Sequence, residues 1–153
     1  MKGYTPQLRA IGTAEGDFHA EFTATNARTR QYARELGDAH PRHPAVRTFV
    51  SAFSDDRDAL WATWKRTLPS HLRPIVLSVK DIHHGPGLSE SGSSEYRTFL
   101  SLVQAVSRRT RRRLDDLVAA LPGDAAVADC YAKFCKRIDV LDGALRRHKQ
   151  LAD

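Results

Sequence analysis

Asp124-Ala125-Ala126-Val127-Ala128-Asp129-Cys130-Tyr131-Ala132-Lys133-Phe134-Cys135-Lys136-Arg137-Ile138-Asp139-Val140-Leu141-Asp142-Gly143-Ala144-Leu145-Arg146-Arg147-His148 is the stretch on which the fold turns. Val127, Tyr131, Phe134, Ile138, Leu141, Leu145 and His148 recur at alternating steps of four and three, which sets all of them on one face of a single α-helix. The spacing predicts a helix from about Asp124 to Asp153, with Asp124 as its N-cap. Six of these side chains are ordinary core formers. The last is an imidazole in register with the apolar seam, so His148 is either a packed core residue or a ligand pointing into a pocket.

Working outward, Pro122-Gly123 closes a preceding helix that runs from about Ser94 to Leu121. Its core face is Tyr96, Phe99, Leu100, Val103, Val106, Thr110, Leu114, Leu117, Val118 and Leu121. Near the start of the chain, Phe18, Phe22, Thr25, Thr29, Tyr32 and Leu36 keep the same rhythm, predicting a helix over Glu15 to Leu36 with Gly37 as C-cap. Residues 1–14 show no period and read as an extended arm. His40, Pro41, His43 and Pro44 make a turn, and a helix entered at Pro44 uses Val46, Phe49, Val50 and Phe53. Ser54-Asp55-Asp56 looks like a fresh N-cap, so residues 55–68, with Leu60, Trp61 and Trp64, restart or bend that helix.

Pro69 and Pro74 interrupt the period, leaving residues 75–79 as a short apolar run, either a short helix or a buried extended piece. Residues 81–94 carry Gly85, Pro86, Gly87 and Gly92 together with four serines and two histidines, and read as the one long loop, a place where function tends to sit. The expected fold is all-α: a single helical domain over residues 1–153, a bundle of four main helices with one long Gly/Ser-rich loop.

Composition agrees with a soluble globular domain, at 41% hydrophobic and 27% charged residues. No run approaches the roughly 20 apolar residues needed to span a bilayer, and Met1 to Pro6 lacks the apolar core of a secretory signal, pointing to the cytoplasm. Cys130 and Cys135 stand about 140° apart around one helix and cannot pair with each other. The formal charge is +6, but the excess is spread along the chain, with twelve basic against eight acidic residues up to position 80 and twelve against ten after it.

Only Arg108-Arg109-Thr110-Arg111-Arg112-Arg113 concentrates charge. Such density suits nucleic-acid phosphates, yet Val106, Thr110 and Leu114 turn Arg108, Arg109, Arg111 and Arg112 toward solvent, and no aromatic is interleaved for base stacking. His83-His84 lacks a carboxylate at helical spacing to complete a metal set, and His19, near Glu15 and Glu21, lacks the paired Glu-x-x-His pattern of a di-iron bundle. Ser93-Ser94-Glu95-Tyr96-Arg97 places a guanidinium close after an expected helix start, where free N–H groups favour a carboxylate.

That segment resembles the Ser-rich loop and helix start of tryptophan 2,3-dioxygenases. Leu145-Arg146-Arg147-His148 is similar to the segment that carries the proximal haem histidine in tryptophan and indoleamine 2,3-dioxygenases. The resemblance covers about a third of the chain. It implies haem as cofactor with His148 as its axial metal ligand, and an aromatic amino acid or related small molecule as substrate. Arg97 would clamp the carboxylate, with Tyr96 and Ser93 lining the pocket. The alternative is a non-catalytic basic module that binds nucleic acid weakly, or an acidic protein, through Arg108, Arg109, Arg111 and Arg112; self-association into a homo-oligomer is left open.

Overall fold

A computed structural model describes the backbone of residues 6–76 and 85–152, and the side chains of residues 14–67 and 94–150. The described residues form four helices: α1 (Pro6–Ala39), α2 (Pro44–Val76), α3 (Gly85–Ala120) and α4 (Ala125–Ala152). The described residues contain no strand, so the chain is an all-α helical bundle.

The helices are longer than the apolar periods suggest. α1 starts at Pro6, so residues 6–14 are helical rather than an extended arm; a proline in the first helical turn loses only an N–H that had no partner there. α1 also passes through Gly37 and closes with the His40 N–H donating to the Leu36 carbonyl at 3.0 Å. α2 is unbroken at Ser54-Asp55-Asp56 and is carried past Pro69 and Pro74 to Val76. The capping signature is overridden because the buried series Val46, Phe49, Phe53, Leu60 continues across it.

α3 begins at Gly85, inside the stretch expected as a loop. The remainder of that loop, residues 81–84, lies outside the described residues, as do residues 77–79 of the apolar run. Between α3 and α4 the turn is as anticipated. Gly123 takes φ +76°, a left-handed conformation that favours glycine. Asp124 Oδ1 then accepts the Val127 N–H at 3.0 Å as a true N-cap.

The chain forms two compact units, Met1–Ser54 with Ser107–Asp153, and Asp55–Val106. In the first, α1 and α4 pair along their length. His40 meets Asp124, Glu35 meets Lys133, Tyr32 meets Phe134, Thr25 meets Arg137 and Phe18 meets His148. One set of numbers falls as the other rises, so the two helices are antiparallel. The core is centred on Phe134, fully buried, whose ring meets Tyr32, Phe49 and Phe53 edge-on at centroid distances of 5.9, 5.6 and 5.1 Å.

α3 is held to α4 by Tyr131, whose hydroxyl donates to Asp115 at 3.0 Å, and by Arg111, which donates to Asp139 at 2.5 Å and Asp142 at 3.3 Å. In the second unit Leu60, Tyr96, Phe99, Leu100, Val103 and Val106 are buried. Trp61 and Trp64, one turn apart on α2, stack at 4.9 Å.

Candidate functional site: the polar seam of α1 and α4

Below the Phe134 layer, the first unit changes character. Glu15, Thr25, Asn26 and Thr29 on α1, Ser107 and Thr110 on α3, and Arg137 and His148 on α4 are all buried polar residues. Their positions follow from helical period: Phe18, Phe22, Thr25, Thr29 and Ala33 are successive inward steps of α1, so the threonines occupy places that apolar residues would fill.

His148 is 3% exposed. Phe18 covers a face of its ring, with centroids 5.7 Å apart and planes 17° from parallel. His19 also meets the Phe18 ring, 5.2 Å away and edge-on, with Glu15 one turn back along α1, its Oε1 3.8 Å from His19 Nε2. A carboxylate, an aromatic ring and two imidazoles therefore share one level of the helix pair. The sequence places His148 inward; its neighbours depend on the pairing register of two helices far apart in the chain, which no local period reveals.

Three turns toward the N-terminus of α4, Arg137 is buried and its Nε donates to Thr25 Oγ1 at 3.3 Å. Its terminal nitrogen donates to Glu21, whose side chain is 33% exposed. Burying a guanidinium is costly, and the bonds to Thr25 and Glu21 offset that cost. No spacing signal marks Arg137 in the sequence, because it sits one position before Ile138 at the edge of the apolar stripe.

The residues expected to bind substrate are on α3. Ser93, Tyr96 and Arg97 belong to α3 within the second unit, and His148 to the first. Tyr96 is buried with its ring 6.1 Å from Phe99, Arg97 is exposed, and the Ser93 side chain is outside the described residues. Because α3 begins at Gly85, Arg97 stands more than three turns inside the helix, where backbone N–H groups are used by the helix itself. The free N–H groups expected beside it are at the other end of that stretch.

Of the basic block, Arg108 and Arg112 are exposed, Arg109 and Arg111 half-buried. Burial works against the charge of Arg111, and its hydrogen bonds to Asp139 and Asp142 outweigh that, holding its pKa above the ordinary arginine value. The thiols of Cys130 and Cys135 are free, and burial pushes the Cys130 pKa up to about 12, so it is protonated at neutral pH. No group of three or more potential ligands forms a metal cluster among the described residues. No helix among them is long and apolar enough to cross a membrane. Compared with known proteins, the chain matches no family model, no curated protein and no solved structure.

Proposed function

We propose that the bundle binds haem, with His148 as the axial ligand and a small aromatic amino acid or related metabolite as the companion ligand. The observation that carries this reading is the inward, buried imidazole of His148 with its ring plane fixed against Phe18. An axial histidine must reach an apolar interior as the neutral ring, in a defined orientation. The donor chemistry fits imidazole ligation: the competing thiol of Cys130 stays protonated, and it lies about five turns away along the same helix. When bound, haem would supply oxygen chemistry, while this chain would hold the imidazole, exclude water with Phe18 and Phe22, and place the Glu15 and His19 pair nearby for proton transfer. Arg97 contributes a positive charge on an exposed face of α3, and its assignment as the carboxylate clamp, with Tyr96 and Ser93 beside it, rests on the motif alone.

The test is spectroscopic. Purified protein titrated with haemin develops a Soret band, and His148→Ala removes that band or shifts it to a weaker, differently ligated form. A protein that never takes up haem ends the proposal, and an unaltered spectrum in His148→Ala excludes the proposed ligand. The second reading, a basic module for nucleic acid, is supported by Arg108 and Arg112, exposed one turn apart on α3. Two exposed arginines support only salt-sensitive, nonspecific binding, so tight binding at physiological salt would raise this reading above the first.

A further inference from the structure

We infer that Arg137 is the centre of a buried binding site for a small monocarboxylate, and that Glu21 is a built-in competitor for it. The inference is independent of the haem reading.

Two polar atoms motivate it. Asn26 Nδ2 and Thr110 Oγ1 are buried and find no hydrogen-bond partner among the described residues. The case of Thr110 stands out against its own chain: Thr23, Thr29, Thr63 and Thr98 each turn the hydroxyl back to the carbonyl four residues earlier. That is the usual refuge of a threonine in a helix interior, and Thr110 does not take it. Asn26 and Thr110 are also at one level of the bundle. On α1 and α4, Thr25 pairs with Arg137; on α3 and α4, Arg111 pairs with Asp139. Asn26 follows Thr25 and Thr110 precedes Arg111, so both flank the turn of α4 that holds Arg137.

Three groups of this level are able to donate toward an anion. They are the Arg137 guanidinium, the Asn26 carboxamide N–H and the Thr110 hydroxyl, and a guanidinium supported by further donors recognises carboxylates. One carboxylate already engages Arg137, that of Glu21, and it arrives on a long side chain one-third open to solvent. Glu21 thus marks both the kind of group the arginine accepts and the route by which solvent reaches it. An acetate- or benzoate-sized anion arriving there can take over the Arg137 bond, while the released Glu21 carboxylate returns to water. Inside, the same anion can accept from Asn26 and Thr110, which Glu21 leaves without partners.

The experiment uses the full chain without haem, at fixed ionic strength in chloride. Thermal shift and titration calorimetry are run with acetate and benzoate, and with acetamide and benzamide as neutral isosteres. The carboxylates bind and raise Tm, and the amides do not. Glu21→Gln, which removes the competitor and keeps its shape, tightens carboxylate binding several-fold, whereas a merely structural ion pair would give a weaker or unchanged affinity. Thr110→Val, nearly isosteric, weakens binding about tenfold with the helix content intact. Carboxylate binding seen only in Glu21→Gln supports the competitor role. No carboxylate response in either protein, an equal response to the amides, or weaker binding in Glu21→Gln overturns the inference.

Discussion

Asp124 shows how one carboxylate joins two helix ends. It accepts a hydrogen bond from His40 Nε2 at 2.9 Å and from the Val127 N–H, and these bonds, the His40 one foremost, hold its pKa below the ordinary aspartate value. A depressed carboxylate pKa means the charged form is favoured in the folded state. The stability it contributes is present above the unfolded aspartate range, near pH 4, and is lost as pH falls through the lower folded value. Asp124→Ala therefore lowers Tm at pH 7, Asp124→Asn lowers it less because the amide oxygen still caps α4, and the wild-type and Asp124→Asn melts converge as pH drops toward 2 while Asp124→Ala, lacking the cap, stays below them. A gap that stayed constant with pH would show the charge plays no part. The cap itself was legible from Pro122-Gly123-Asp124 ahead of an apolar period; the histidine bonded to it, 84 positions earlier in the chain, was not. His148 was legible in the same limited way, as an inward position whose neighbour Phe18 only the tertiary register supplies. The helix start expected beside Arg97 misled for the opposite reason, since Ser93-Ser94 carries a local capping signal that the longer helix absorbs.

At the scale of elements, faces were easier to read than ends. Four-three spacing identifies most of the buried side chains of α1, α3 and α4 because burial follows helix geometry directly, Val118 being the expected α3 core position that is exposed, whereas boundaries depend on which capping signals tertiary packing overrides. Gly37 and Gly123 separate the two situations. Gly37 lies inside α1, and a Cβ there would meet Val50 Cγ2 at 3.9 Å, an ordinary van der Waals contact. Gly37→Ala accordingly stabilises the protein by about 0.5–1 kcal/mol, the entropic cost of glycine within a helix. Gly123 has open space around it but a φ of +76°, so Gly123→Ala destabilises by about 1–2 kcal/mol through backbone strain alone. Urea denaturation measures both. If Gly37→Ala lost stability instead, the helix would have to end where the sequence first suggests, at Gly37.

For the whole molecule, the decisive arrangement is that α2 and α3 each contribute to both compact units. Phe134 lies at the centre of the first, fully buried against Tyr32, Phe49 and Phe53 from two other helices. Phe134→Ala removes those contacts and leaves a cavity, at a cost of about 3–5 kcal/mol, a large share of the roughly 5–15 kcal/mol that holds a domain folded. For a chain of this length that lowers Tm by roughly 6–20 °C. Both tryptophans, Trp61 and Trp64, belong to the second unit, so their fluorescence reports on it separately while far-UV circular dichroism follows every helix. Because α2 and α3 are continuous backbone through both units, loss of the Phe134 core removes part of the packing that keeps each of them helical, and helices this long draw most of their stability from packing rather than propensity. The two signals of Phe134→Ala therefore fall together to one lower midpoint. A tryptophan midpoint left at the wild-type temperature while the dichroism signal moves would show instead that residues 55–106 fold on contacts of their own.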